Sequence, residues 1–353
     1  MRVLVAMSGG VDSSVAAALL RDDGVAVVGC TLRLWGGESD TGCCSAADVD
    51  DARRVCQALG IDHHVFNLDD EFADGVVAPY VAAHGRGATP NPCVACNRTI
   101  KFGVLAARAA RLGFDALATG HHARVRSGPL GWELRRGADV AKDQSYVLGF
   151  LAADELERVR LPVGELTKGA VRDLAEGYGL RTAGKPDSQE VCFIPRGGRG
   201  SFLAARRPLT EATVVDRESG RELGTVDAVE LVTLGQRRGV AAGRDGEPRY
   251  VVDVDVAARR VLVDRREAAQ VARVPLEPGS LSWARATRPS RVLVQTSAHG
   301  AAVEATLDAR GAWLALARLV RPVAPGQLAV LYDADDPDLV VGAATVGRAT
   351  PHA

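Results

Sequence analysis

The sequence predicts an α/β fold, a doubly wound parallel sheet, followed by two small antiparallel β domains. Three observations carry this. Short apolar runs alternate with helical periodicity over the first 120 residues. Strands spaced by helices imply parallel pairing through crossovers. Past residue 200 the pattern becomes short, Val-rich and often alternating, with Gly, Pro and Asp turns between segments. The chain has 353 residues, more than one compact domain needs. The expected division is 1–205, 206–277 and 278–353, with Pro275 and Pro278-Gly279 near the last boundary.

Val3 to Met7 reads as a buried strand stopped by Ser8-Gly9-Gly10. Val11 to Arg21 is Ala- and Leu-rich and helical, and Val25 to Leu34 is a second strand. Ala46 to Leu59 carries Val49, Ala52, Val55, Cys56 and Leu59 on one stripe and stops at Gly60. Ile61 to Leu68 is a third strand, Ile100 to Leu112 a helix, and Phe114 to Thr119 a fourth strand. Later strands are expected at 212–216, 222–226, 249–256, 260–264, 291–297, 301–307, 327–332 and 338–346. In the third of these, Val252, Val254 and Val256 alternate with Asp253 and Asp255.

Hydrophobic residues make up 47% and charged residues 25%, which excludes a disordered chain, a collagen and a coiled coil. No apolar run approaches the roughly 18 residues of a membrane helix. The apolar start is too short for a signal-peptide core, so a cytosolic, non-membrane protein is expected. The net charge of −1 means that any nucleic-acid contact must use local basic patches. Seven cysteines, an odd number, argue against a structural disulfide framework and raise metal or redox chemistry. Of 43 Lys and Arg residues only Lys101, Lys142, Lys168 and Lys185 are lysines. A chain that uses Arg elsewhere keeps Lys where a compact ammonium is needed.

Ser8-Gly9-Gly10-Val11-Asp12-Ser13-Ser14 lies between the first strand and the first helix. Two glycines let backbone approach an anion, two hydroxyls add donors, and the helix N-terminus adds partial positive charge. It is not the G-x-x-x-x-G-K-[ST] loop. It resembles instead the pyrophosphate loop of the PP-loop ATP pyrophosphatases, an adenine nucleotide α-hydrolase-like fold. Those enzymes split ATP between its α- and β-phosphates. The resemblance implies Mg²⁺ as charge partner, with Asp12 contributing.

Asn91-Pro92-Cys93-Val94-Ala95-Cys96-Asn97 holds a C-x-x-C in an expected extended loop, followed by Ile100-Lys101-Phe102. A helix N-terminus and a Lys near Cys96 favour its thiolate. Cys192 lies in a second polar segment, Lys185 to Pro195. Three readings stand: a nucleophile with a sulfur-carrying partner, a [4Fe-4S] ligand set of Cys93, Cys96 and Cys192, or inert buried thiols. The last suits Cys30 and Cys56. Cys43-Cys44 is a vicinal pair in a Gly-rich loop.

Together these motifs make the chain resemble the tRNA-specific 2-thiouridylases, which place sulfur on C2 of the wobble uridine. The resemblance also rests on Thr89-Pro90-Asn91-Pro92, Ala118-Thr119-Gly120-His121, Lys142-Asp143-Gln144-Ser145-Tyr146, Lys185-Pro186-Asp187-Ser188, Cys192-Phe193-Ile194 and Leu234-Gly235-Gln236-Arg237-Arg238-Gly239. It implies that uridine O2 attacks the α-phosphate of ATP, that Cys192 carries a persulfide, and that Cys96 releases the product, leaving a transient disulfide bond. The persulfide would come from a cysteine desulfurase or sulfur relay protein. Ala6, Met7, Ser8, Gly9, Gly10, Val11, Asp12, Ser13, Leu32 and Gly120 would line ATP. Asn91, Pro92 and Cys93 would hold the target base. His121, Lys142, Asp143, Gln144 and Gln327 would contact tRNA.

The chain departs from the family twice. Cys93 stands where many members have Asp, which strengthens the cluster reading. Ser297-Ala298 stands where the family often places Arg. Arg196, Arg199, Arg206-Arg207 and Arg237-Arg238 are candidate phosphate contacts. Two competitors remain: an amidotransferase-type synthetase, for which Cys96→Ser would be silent, and a redox-sensing RNA-binding protein that ignores ATP.

Overall fold

The computed structural model describes residues 1–34, 45–187, 191–194, 198–240, 243, 246–285 and 287–349. The first sheet is built from β1 (Arg2–Ala6), β2 (Ala26–Arg33), β3 (Asp62–Asn67), β4 (Ala116–Ala118) and, after an inserted hairpin of β5 (Ala123–Gly128) and β6 (Gly131–Arg136), β7 (Val159–Arg160). Its order is β3-β2-β1-β4-β7, and every pair is parallel. Val3, Leu4 and Val5 have no exposed surface, because both faces of β1 are covered. β2 lies on one side of β1 and β4 on the other, so the strand order reverses at β1. That reversal opens a crevice beyond the strand C-termini.

Helix α1 (Val11–Asp22) buries Val15, Ala16, Ala17 and Ala18 against the sheet, and α2 (Ala46–Leu59) buries Ala52, Val55, Cys56 and Leu59. The Ser45 side chain caps α2 by accepting the Asp48 N–H at 3.1 Å. Gly60, at φ 67°, ends it in the left-handed region, as its position in the sequence predicts.

The helix expected from Ile100 begins eight residues earlier. Pro92–Ala95 is α-helical, Cys96–Leu105 is π-helical and Ala106–Arg111 is α-helical again. The C-x-x-C therefore lies on a helix, not in an extended loop. Pro92 fits the first helical turn, where no backbone N–H is required. The β5–β6 hairpin falls between the expected elements.

The middle sheet contains β8 (Ala212–Asp216), β9 (Glu222–Val226), β10 (Tyr250–Asp255) and β11 (Arg260–Asp264), in the order β10-β11-β8-β9. It is not wholly antiparallel, because β11 runs parallel to β8. The last sheet contains β12 (Val271–Pro275), β13 (Ser282–Trp283), β14 (Arg291–Gln295), β15 (Val303–Leu307), β16 (Trp313–Val320), β17 (Leu328–Asp333) and β18 (Val340–Thr345). Its order is β12-β16-β15-β14-β17-β18-β13, with every pair antiparallel. A bridge between Leu276 and Val346 joins the chain after β12 to the chain after β18, drawing the two sides together.

This last sheet is welded to the first part of the chain. Leu328, Val330, Tyr332, Val340 and Ala343 share one core cluster with Leu4, Phe102, Leu134, Tyr146 and Phe150. Tyr146 Oη donates to the Leu328 carbonyl at 2.9 Å, and Arg135 forks onto Asp336 at 2.7 and 2.6 Å. No helix among the described residues is long and apolar enough to cross a membrane.

Candidate active site

β1 delivers Ala6 and buried Met7 to the crevice, and the Met7 N–H donates to Cys30 O at 2.7 Å. Ser8 is exposed. Gly9 turns the chain at φ 71°, and a Cβ there would lie 2.4 Å from the Asp48 carbonyl oxygen. Gly10 caps α1. The Ser8 N–H donates to Ser13 Oγ at 3.2 Å, and the Ser13 and Ser14 hydroxyls donate to Gly10 O at 3.2 and 2.8 Å. Gly120, just past β4, presses on this turn: a Cβ there would lie 2.5 Å from Ser13 N and 2.6 Å from Asp12 C. Leu32 is buried in β2 close by in the sheet order. The result is a backbone cradle at a helix N-terminus, open to an anion.

Cations and carboxylates surround this cradle. Lys168 Nζ grips both oxygens of Asp12 at 2.7 and 2.8 Å and Asp187 at 2.8 Å. Lys142 and Arg172 also reach Asp187, at 2.8 and 3.2 Å. Lys185 donates to Gly9 O at 2.9 Å and to Asp48 and Asp51 at 2.7 Å each. His122 Nε2 lies 3.1 Å from Asp12. Burial opposes ionisation of Asp187, but hydrogen bonds from Lys142 and Lys168 outweigh it and bring its carboxyl down to about 2. Asp12 is lowered the same way: burial opposes, while His122 and Lys168 prevail. Lys168 and Lys185 each meet three oxygens from different directions, which a rotatable ammonium does and a planar guanidinium does not. The rarity of lysine was the signal for this network. It pointed to Lys168 and Lys185, and the Lys185-Pro186-Asp187-Ser188 motif held Asp187, whereas Asp48 and His122 carried no signal of their own.

The cysteines divide by setting. Cys30 and Cys56 are free, buried thiols, and burial pushes both up to about 12, so neither ionises near neutral pH. Asn91 caps the helix that follows it, its side chain accepting from Cys93 N at 3.0 Å and Val94 N at 3.4 Å. Cys93, one residue into that helix, is exposed. Cys96 opens the π-helical stretch, a wider turn that recurs at functional sites. It is buried in the large core cluster rather than set among polar loop residues, and Cys192 packs against that same cluster. Phe193 anchors Cys192: it is fully buried, with its ring 5.7 Å from Phe72, 5.5 Å from Tyr80 and 5.1 Å from Phe202. Among the described residues no three His, Cys, Asp or Glu side chains are grouped to hold a metal ion. Cys93, Cys96 and Cys192 therefore do not form a ready ligand set. Cys43 and Cys44 lie outside the described residues.

The family model described as tRNA methyl transferase HUP domain matches residues 1–196. Models described as tRNA methyl transferase PRC-barrel domain and aminomethyltransferase beta-barrel domain match 200–265 and 276–346. The tRNA-specific 2-thiouridylase MnmA of Mycolicibacterium smegmatis is 45% identical over 99% of this chain and 100% of its own length. The protein of the same name from Micrococcus luteus is 46% identical over 99% of this chain and 97% of its own length. The chain belongs to the tRNA-specific 2-thiouridylase family. A solved complex of a 4-thiouridine synthetase with RNA and bound ATP matches at TM-score 0.38 and 17% identity, over 59% of this chain and 46% of that one.

The positions expected from the thiouridylases to meet tRNA fall in two settings. Lys142 is partly exposed and paired with Asp187. Gln144 is exposed, while its Oε1 accepts the His122 N–H at 2.8 Å. His121 and Asp143 are instead committed inward. His121 is buried, with Nδ1 2.7 Å from Thr119 Oγ1, and burial holds its imidazole well below the ordinary histidine range. Asp143 pairs with Arg136 at 2.9 Å and accepts from Gly137 N and Ser145 N. Gln327 donates to the Thr89 carbonyl, and Thr89 N donates to Pro325 O at 2.8 Å. That ties the last sheet to the segment leading into Asn91. Arg237 and Arg238 are exposed, whereas Arg199 donates to Leu231 O and Arg207 lies 3.7 Å from Glu230. Arg196 lies outside the described residues.

Proposed function

We propose that this thiouridylase-family chain uses ATP to replace O2 of the wobble uridine of tRNA with sulfur, in the cytoplasm. The observation that carries the reading is the Gly9–Gly120 cradle, joined by Lys168 and Asp187 to the segment bearing Cys192. Uridine O2 attacks the α-phosphorus, the bond to the β-phosphate oxygen breaks, and pyrophosphate leaves onto the Ser8–Ser13 turn. Ala6, Met7, Leu32 and Gly120 line the nucleotide. Asp12, here held by Lys168 and His122, is the carboxylate that would hold Mg²⁺, which when bound would supply charge neutralisation for the leaving pyrophosphate.

Cys192 arrives as a persulfide loaded by a sulfur relay protein. Its terminal sulfur attacks C2, and AMP leaves with the former O2. The Cys96 thiolate then attacks Cys192 Sγ. The S–S bond breaks, 2-thiouridine departs with the electron pair, and a Cys96–Cys192 disulfide remains. A dithiol reductant resets it. Asn91, Pro92 and Cys93 hold the base, and Lys142, Gln144 and residues 278–353 face the tRNA. A uridine in a single-stranded anticodon loop costs little to extrude.

The test is sulfur transfer to unmodified tRNA by wild type, Cys96→Ser and Cys192→Ser, read beside pyrophosphate release. Both variants are expected to lose thiolation at least about 100-fold, as loss of a nucleophile does, while still forming the tRNA adenylate. Full thiolation in either variant would overturn the scheme. Activity that returns only after iron and sulfide reconstitution would restore the three-cysteine cluster instead.

A further inference from the structure

Asp143 is flanked by the two side chains read as tRNA contacts, Lys142 and Gln144, yet its own side chain is only 7% exposed. Its carboxylate is fully engaged within the protein. Oδ1 accepts the backbone N–H of Gly137 at 2.9 Å and that of Ser145 at 3.0 Å, while Oδ2 accepts from Arg136 Nη1 and Ser145 Oγ, both at 2.9 Å. An ionised carboxylate offers about four acceptor positions, so none is left for a nucleotide. One oxygen staples the two ends of the loop 137–145. Gln144 is fastened separately: its N–H donates to His122 O at 2.8 Å, and its Oε1 accepts the His122 N–H at 2.8 Å.

The same carboxylate closes a ring of four side chains across the joint with the last sheet. Ser145 Oγ donates to Asp143, so the Tyr332 hydroxyl, 2.9 Å away, donates to Ser145. The Arg136 guanidinium lies 3.7 Å from the centre of the Tyr332 ring while it pairs with Asp143. Tyr332 belongs to β17. Arg136 also donates to Pro337 O at 3.2 Å and, through its backbone N–H, to Asp338 O at 2.8 Å, both in the turn between β17 and β18. We infer that Asp143 is a positioning residue that couples the seating of the last sheet to the placement of Lys142 and Gln144, acting through Ser145, Arg136 and Tyr332 without touching tRNA itself. The inference rests on the reading of Lys142 and Gln144 as tRNA contacts. The thiouridylase resemblance instead counts Asp143 among those contacts, and charge separates the two roles. A carboxylate beside RNA phosphates repels them, so removing it there tightens binding. Removing a staple that places Lys142 and Gln144 weakens it.

The test is the Kd of the full-length protein for unmodified tRNA, read beside KM and kcat for thiolation. Tyr332 has no exposed surface and cannot meet RNA, and Tyr332→Phe removes only the hydroxyl that joins Ser145. That variant is expected to weaken tRNA binding about threefold or more, as residues off a binding surface do when they modulate it. KM for tRNA should rise while kcat holds. Asp143→Asn keeps an acceptor for Gly137 and Ser145 but loses the Arg136 pair, and is expected to weaken binding about tenfold. The double variant should bind within about twofold of Asp143→Asn, because groups in one network are not additive. Wild-type affinity in Tyr332→Phe overturns the coupling, and that arm does not depend on Asp143→Asn folding. Tighter binding by Asp143→Asn, or losses that multiply in the double variant, overturn it as well. Lys142→Ala and Gln144→Ala check the reading beneath. If either weakens tRNA binding while Tyr332→Phe does not, the coupling alone fails; if both bind as wild type does, their reading as tRNA contacts fails first.

Discussion

Gly9 sits at φ 71° with the Asp48 carbonyl where a side chain would begin. Any substitution there meets a backbone atom that cannot swing aside, and a left-handed dihedral as well. Gly9→Ala is expected to cost about 1–3 kcal/mol of stability and to remove nucleotide binding, since α2 must retreat from the cradle. Urea unfolding and ATP titration check the two effects separately. A second residue-scale prediction concerns acid. Arg249 lies 2.8 Å from Asp216 and, with the Ser219 N–H, brings the Asp216 carboxyl down to about 2 from its ordinary 3.8. A carboxyl lowered on folding stabilises the fold above its unfolded pKa and loses that stabilisation as pH falls. The contribution is complete above about pH 4 and fades toward pH 2, as does that of Asp187. Asp216→Asn should destabilise the protein near pH 7 and narrow its gap from wild type on acidification. A gap that stays constant from pH 6 to pH 3 contradicts the assignment.

The helix that carries Cys93 and Cys96 starts on one capping side chain. Asn91→Ala removes the acceptor for Cys93 N and Val94 N and is expected to cost about 1 kcal/mol. It should also lower thiolation, because Cys96 sits at the first wide turn. Asn91→Asp keeps the cap. If capping is the whole role of Asn91, that variant works like wild type. If Asn91 also touches the uracil, Asp keeps stability and loses activity.

Elements governed by local rules were legible in the sequence. Gly60 stops α2 where its position implied, and the alternation of Val and Asp around 252–255 marks β10. The cradle was legible because its glycines and serines are contiguous. What escaped depends on partners distant in sequence. The helical start at Pro92 looks extended from composition alone, because proline supports a first turn as readily as a loop. The parallel pairing of β8 with β11 is set by crossover, which no local pattern encodes. Asp187 lies in a family motif, but its partners become visible only where Lys142, Lys168 and Arg172 converge on it.

At the scale of the molecule, the last sheet shares its core with the nucleotide-binding part. Tyr332 has no exposed surface, and its Oη lies 2.9 Å from Ser145 Oγ, next to the Lys142–Asp143–Gln144 run. A fragment ending at residue 205 would expose the core positions that Leu328, Val330 and Tyr332 now cover. Such a fragment is expected to aggregate or to bind a dye for exposed apolar surface, while the full chain melts with these two parts in one calorimetric transition. Two separated transitions, with a stable fragment under the first, would contradict this. Gln327 and Pro325 hold Thr89 from the last sheet, so any displacement of that sheet pulls directly on the strap before Asn91.

The scarcity of lysine has a practical consequence. Apart from the N-terminal amine, a primary amine occurs only at positions 101, 142, 168 and 185; Lys168 and Lys185 touch the phosphate cradle directly, and Lys142 is linked to it through Asp187 and Lys168. Reagents that seek amines, whether acyl donors in the cell or coupling chemistry on a sensor chip, have almost nowhere else to react. Indiscriminate acylation of this protein is therefore, in effect, an inhibitor aimed at its nucleotide site, and Lys142, the most accessible of the three, would be the first to be lost.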